Sequence, residues 1–373
     1  MKITQREAAR QLMNFDVVLM GAIAALASLG LIMVLSASGI MAEKVYGDKY
    51  ALFWKQILFM GVGCAVLVVA ARARMEFFYR HTYLWLLVTA GLLALTIFSP
   101  FSTTAGGASR WLRLGPMSVQ PLEAAKIALV FYLSYFFANK QEMVKTFSVG
   151  FLPPILMTCG LCVLLLLQPD FGGAVFLAGL LFLMCLVGGT RIIFLGSAIM
   201  LGVFLGVLLV VNSPYRFRRV FSFLDPFKDA QNTGYQLVQS LYGLGSGGWV
   251  GQGLGEGKQK LFFLPEAHND FIMSVVGEEL GFVGISLVII LLGVVLWRTI
   301  RISIRQEALH DRITAFGMGA ILIMGGILNM GVVLGAIPPK GVPMPFLSYG
   351  GSHLVSGFFC AGVLLNLSRK VKA

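Results

Sequence analysis

Charge is what this sequence has least of. Of its 373 residues only 12% are Asp, Glu, Lys or Arg, while 57% are hydrophobic and the mean hydropathy is +0.84. That balance excludes a soluble globular domain, and no polar block is long enough to form one. The four histidines and five cysteines show no zinc-ligand spacing, which argues against a structural metal. All the cysteines lie in apolar segments, so Cys159-x-x-Cys162 reads as packing and not as a redox pair. A nucleophile elbow, a Ser-His-Asp order and the Walker spacing are missing, and no strand precedes the glycine-rich segment as a dinucleotide site would require. The net charge of +12 does not point to nucleic acid, because the basic residues are spread over many short loops.

Apolar runs are what the chain does have. They predict an all-α polytopic membrane protein of about ten transmembrane helices, one integral membrane domain over 1–373. The spans fall near 17–38, 52–71, 82–100, 121–138, 151–167, 172–189, 192–212, 270–297, 313–336 and 350–368, with a tight turn at 168–173. The first run follows Lys2, Arg6 and Arg10. It is longer than the roughly 7–15 residues of a signal-peptide core, so it reads as an uncleaved helix. Lys and Arg crowd one set of loops, leaving Lys44, Lys49, Arg110, Arg113 and Lys340 for the short loops opposite. This bias places both termini in the cytoplasm and makes residues 212–269 a large extracytoplasmic loop between spans seven and eight. Within it, Leu237, Leu241 and Leu244 at helical spacing predict an amphipathic helix at the outer interface. Eight glycines follow between Gly243 and Gly257. They read either as a flexible connection or as a backbone cradle for phosphate.

The polar residues gather on the predicted outer side. Glu266, His268 and Asp270 stand where the large loop enters the eighth span, and helical phase from Asp270 would set Glu278 about two turns below it. Charge at such a depth costs about 2.5–3.5 kcal/mol per residue, so it calls for a reason. Glu123 and Lys126 share a helix face, Asp170 sits in the tight turn, Arg110 and Trp111 in the loop after span three, and Lys340 in the last outer loop. Pairing of Lys126 with Glu123 or Asp170, and a bundle-holding role for Glu278 and Glu279, are the structural alternatives. A carboxylate at a membrane mouth ringed by cations also suits an anionic amphiphile. The cations would hold phosphate and the carboxylate would take a proton from a hydroxyl.

Several motifs, in order along nearly the whole chain, resemble the SEDS family (shape, elongation, division and sporulation). They are Arg110-Trp-Leu, Gln120-Pro-x-Glu123-x-x-Lys126, Gln168-Pro-Asp-Phe-Gly172, Gly234-Tyr-Gln-x-x-Gln-Ser240, Leu264-Pro-Glu-Ala-His-x-Asp270, Gly277-Glu-Glu-Leu-Gly281 and Lys340-Gly-x-Pro-x-Pro-Phe-x-Ser-Tyr-Gly-Gly-Ser352. Arg218 to Pro226, Gly253-Leu-Gly255 and Pro265-Glu-Ala-His268 look like the division-type (FtsW-like) branch more than the elongation-type (RodA-like) one. Asn269 departs from the family, which usually has Thr there.

The resemblance implies a peptidoglycan glycosyltransferase that polymerises lipid II at the outer face of the bacterial cytoplasmic membrane. Asp270 would be the general base on the acceptor GlcNAc 4-hydroxyl, and undecaprenyl pyrophosphate would leave. Arg110, Arg216, Arg219, Lys260 and Lys340 are the candidate cations by side and sign. Trp111, Lys126, Gln239, Glu266, His268 and Ser352 complete the substrate-contacting set, with Glu123, Asp170, Glu278 and Glu279 assigned to charge pairing. No cofactor is required by the resemblance, although Mg or Mn on the pyrophosphate fits the chemistry. The implied partners are a class B penicillin-binding transpeptidase and other divisome proteins. A lipid II flippase is the alternative reading, and a non-catalytic scaffold is a third.

Overall fold

The computed structural model describes residues 15–99, 102–105, 108–115, 117–213, 217, 223, 225–232 and 234–370. Chain order runs α1 (Val17–Tyr46), α2 (Ala51–Arg72), a short α3 (Met75–Arg80) and α4 (Thr82–Phe98). Strands β1 (Ser102–Ala105), β2 (Ala108–Leu114) and β3 (Met117–Val119) follow. Then come α5 (Pro121–Asn139), α6 (Leu152–Leu167), α7 (Phe171–Gly188), α8 (Ile192–Val211), α9 (Tyr235–Gly247), α10 (Ile272–Ile304), α11 (Leu309–Val333) and α12 (Gly351–Ser368). Among the described residues eight helices are long and apolar enough to cross a membrane, and two shorter apolar ones, Thr82–Phe98 and Ile192–Leu208, fill the remaining predicted spans.

Local chemistry sets the helix ends. Asp16 caps α1 by accepting from Leu19 N at 2.9 Å. Asp170 caps α7 through Gly173 N at 3.1 Å, which makes the predicted turn between α6 and α7 a capped one. Pro121 opens α5, where its missing N–H would have no helical partner. Helices α5, α11 and α12 are buried on most faces and form the centre, with α2 packed along α12. By contrast α8 turns nearly every side chain outward, Met200 being 75% exposed. In a bilayer such a face is solvated by acyl chains, so its uniform hydrophobicity is expected.

Two features were not foreseen. The all-α class needs one addition: the loop after α4 is a three-stranded antiparallel sheet in the order β1-β2-β3, and β2 carries Arg110 and Trp111. The second is a break in α10. Gly281 has φ 64° and ψ −160°, a conformation open essentially to glycine alone. The glycine-rich segment after α9 lies against this break. Gln252 N donates to Glu278 O at 3.0 Å and Gly253 N to Glu279 O at 3.1 Å; Phe282 N donates to Gly248 O at 2.9 Å and Val283 N to Trp249 O at 3.1 Å. Interrupted helix backbone is tolerated at membrane depth only when protein groups satisfy it, and here an inserted loop does so.

The glycine-rich segment is therefore not the flexible connection that composition allowed. Several of its amides, and the two just after it, are already bonded within the protein. Gly255 N donates to Glu279 Oε2 at 3.0 Å, and Lys258 N and Gln259 N donate to the Glu278 carboxylate at 2.8 and 3.1 Å. A Cβ on Gly281 would collide with the backbone of Trp249 and Gly251. Gly281→Ala is expected to lower stability by at least the ~1–3 kcal/mol of its backbone strain. Thermal unfolding in detergent checks this, and an unchanged Tm would show that the break is dispensable.

Candidate functional site

The site is built from three loops at one end of the bundle. Its centre is the turn at 264–271 before α10. The backbone there is held carbonyl by carbonyl. His268 O accepts from Tyr349 N at 2.9 Å, Asn269 O from Ser348 Oγ at 2.6 Å, and Asp270 O from Asn329 Nδ2 at 2.7 Å. Ser348 Oγ also accepts from Met344 N at 2.7 Å, and Gln56 Nε2 donates to Ser348 O at 3.2 Å. The Pro-x-Pro-Phe-x-Ser-Tyr motif of the last loop thus serves as a clamp on the Asp270 turn. Since α10 begins only at Ile272, helical phase does not run back to Asp270. The expectation that Glu278 lies beneath it on one face is corrected accordingly.

No described group donates a hydrogen bond to the Asp270 carboxylate. It is half-buried, and Gly341 lies so close that a Cβ there would stand 3.0 Å from Asp270 Oδ2. Burial, then the nearby Glu266 charge, push its carboxyl up to about 7, with Arg110 pulling the other way. Burial also lowers His268, opposed by Glu266; its ring lies 5.8 Å from that of Tyr349. Glu266 itself is exposed at the rim.

The cations divide by what holds them. Arg110 Nε lies 3.4 Å from Asp170 Oδ1, and its Nη2 donates to Pro169 O at 3.3 Å. Lys340 Nζ stands 5.2 Å from the Phe171 ring centroid and has no ion-pair partner among the described residues. Burial pushes Lys340 down from the usual lysine range, with Asp170 opposing. Asp170 therefore links the β2 arginine and the Lys340 loop to the start of α7, and Arg110 and Lys340 remain by the site. Trp111 is half-buried one residue on in β2.

Other predicted contacts are placed elsewhere. Lys126 is buried, 2.7 Å from Glu123, and stands 4.7 Å from the Phe176 ring centroid. Glu123 also accepts from Ser356 Oγ and faces His353 Nδ1 at 3.4 Å. Pairing is thus what the Lys126 surroundings provide, in place of a substrate contact. Lys260 is likewise buried. Its Nζ donates to Glu279 Oε1 at 2.7 Å, Gly255 O at 2.6 Å and Ser36 Oγ at 3.0 Å, so a cation chosen by side and sign is spent inside the fold. Glu278 and Glu279 hold the glycine-rich segment, as a structural role requires. Ser352 Oγ joins the sheet to α12, accepting from Gln120 N at 3.0 Å and donating to Ser118 O at 3.3 Å. Gln239 is half-buried on α9, its side chain without a hydrogen-bond partner among the described residues. Arg216 and Arg219 lie outside the described residues. Nothing in the structure explains Asn269 in place of Thr. Sequence reasoning missed Asn329 and Gln56, although a lone amide inside an apolar run was a signal available in both spans.

Residues 17–373 match the family FTSW_RODA_SPOVE, described as cell cycle protein. The chain is 42% identical over 362 residues to a protein of Trichlorobacter lovleyi named probable peptidoglycan glycosyltransferase FtsW, covering 97% of this chain and 95% of that one. It is 37% identical to stage V sporulation protein E of Bacillus subtilis, covering 92% and 94%. Among solved structures, a chain from a peptidoglycan synthase complex studied for its coordination of polymerization and crosslinking superposes with a TM-score of 0.77 at 27% identity, over 96% of this chain and 98% of that one. The rod shape determining protein RodA of Thermus thermophilus gives a TM-score of 0.71 at 27% identity, over 97% and 99%.

Proposed function

The chain belongs to the FTSW_RODA_SPOVE cell cycle protein family, and from that premise we propose that it is a division-type peptidoglycan glycosyltransferase polymerising lipid II at the outer face of the bacterial cytoplasmic membrane. Relatives at 36–42% identity that bear the name FtsW support the activity and the division branch. The Lys and Arg distribution supports cytoplasmic termini and an outward site.

One observation carries the chemistry: a carboxylate with no hydrogen-bond donor among the described residues, raised to about 7, between Arg110 and the Lys340 loop. A general base works best with a pKa near the working pH and an open acceptor for the substrate's proton. Asp270 takes the proton of the acceptor GlcNAc 4-hydroxyl. That oxygen attacks the donor MurNAc anomeric carbon from the face opposite the phosphate. The C–O bond to pyrophosphate breaks with inversion, and undecaprenyl pyrophosphate leaves with its charge beside Lys340 and Arg110. Among the described residues no three His, Cys, Asp or Glu side chains gather to bind an ion. A Mg or Mn ion here would rest mainly on the substrate's pyrophosphate oxygens and waters with at most one or two carboxylates, and no step is routed through one. The relative found in a peptidoglycan synthase complex supports pairing with a class B transpeptidase in the divisome.

The test is reconstitution with that transpeptidase partner and lipid II. Glycan strands are the expected product. Absence of strands together with movement of lipid II across a liposome bilayer would replace this reading with a flippase.

A further inference from the structure

Asn329 is completely buried in the membrane helix α11, and its side chain reaches the backbone on both sides of the Asp270 carboxylate. One Nδ2 hydrogen goes to Asp270 O at 2.7 Å and the other to Val342 O at 2.8 Å. Gly341 precedes Val342, and a Cβ there would stand 3.0 Å from Asp270 Oδ2. Lys340 precedes Gly341 directly. The remaining amide atom, Asn329 Oδ1, is buried with no partner among the described residues. An orphaned buried acceptor is destabilising, and that cost stands against the two carbonyls the amide satisfies. The helix is shaped to admit the loop: the Cβ positions of Gly325 and Gly326 face Pro345 and the Leu292 and Met344 side chains. Asp270 and Lys340 come from different loops, and the central bundle supplies the one side chain described that bonds Asp270 O and the Lys340 loop together.

We infer that Asn329 is a positioning residue: its amide sets the Asp270 carboxylate at a fixed distance from the loop that presents Lys340, and so aligns base and leaving-group cation. This rests on Asp270 as the base. Removing the amide frees two carbonyls for water, loosens the spacing and lets water solvate the carboxylate. Misplacement of a reacting group by about 1 Å can cost about a hundredfold in rate. Loss should fall on kcat and leave KM for lipid II nearly unchanged, because Asn329 does not touch substrate. Better solvation should move the ascending limb of the pH–rate profile to lower pH, toward an ordinary carboxylate.

The full chain is assayed with its transpeptidase partner across lipid II concentration and pH, as wild type, Asn329→Ala, Asn329→Thr and Asp270→Asn, with Tm measured for each. The expected result is a kcat for Asn329→Ala reduced about ten- to a hundredfold, a downward shift of the pH midpoint, and an intermediate kcat for Asn329→Thr, which keeps one donor. A folded Asn329→Ala with wild-type kcat and midpoint overturns the inference, whatever its Tm, since that is what a purely structural amide would show. If Asn329→Ala is not recovered folded, wild-type kcat and midpoint in Asn329→Thr overturn it instead. Should Asp270→Asn polymerise as well as wild type, the base assignment falls and this inference with it; an inactive Asp270→Asn beside unaffected Asn329 variants defeats this inference alone.

Discussion

Asp270→Asn should lower the rate of glycan formation by about 10²–10⁴-fold, the usual contribution of a positioned general base. The amide matches the carboxylate in shape and leaves the clamp on the 268–270 carbonyls in place, so lipid II binding should change little. The pH profile is the sharper measurement. Burial and Glu266 raise the Asp270 carboxyl to about 7, and only its ionised form can accept a proton. The wild-type rate should therefore fall about tenfold per pH unit below that midpoint and level off above it. In Asp270→Asn the limb should vanish from the residual rate. A limb that survives in the variant would assign the titration to another group.

Glu279→Ala should cost about 3–5 kcal/mol of stability, because removing one partner of a buried pair leaves the other charge stranded. Glu279 is fully buried and accepts from Lys260 Nζ at 2.7 Å, Ser36 Oγ at 2.7 Å and Gly255 N at 3.0 Å. The Lys260 ammonium, itself buried, would keep only Ser36 and the Gly255 carbonyl. Thermal unfolding of the purified protein measures the loss. Lys260→Met in the Glu279→Ala background should restore part of it, since the stranded charge is then gone. Equal Tm values for Glu279→Ala and wild type would mean that the pair contributes nothing to holding the loop on the broken helix.

The helices were legible because each needs a long apolar run, a constraint that acts on contiguous sequence. The sheet was not. Ser102-Thr-Thr-Ala105 and Ala108 to Leu114 flank Gly106-Gly107, a hairpin signal, but strands this short carry little pattern. Gly281 was invisible for a different reason: one glycine in an apolar run reads as a tolerated helix residue, and the break depends on distant backbone partners at 248–253. Side and sign rank Lys260 and Lys340 alike; pairing in space separates them, since Lys260 is buried against Glu279. Asp270 stood out as charge at a membrane mouth and through the family motif. Its raised pKa was not legible, because that follows from burial and from the fold bringing Glu266 alongside.

The break in α10 also changes what sequence drift can do to the protein. In an unbroken helix, one inserted residue turns everything beyond it by about 100°. Here two cross-links to another segment hold Glu278 and Glu279 above Gly281, and two more hold Phe282 and Val283 just below it. Insertions or deletions between Val283 and Ile304 would re-phase the lower half alone. The two halves of α10 are thus oriented separately: the lower one can change length or tilt while the turn at 264–271 keeps its own hydrogen bonds.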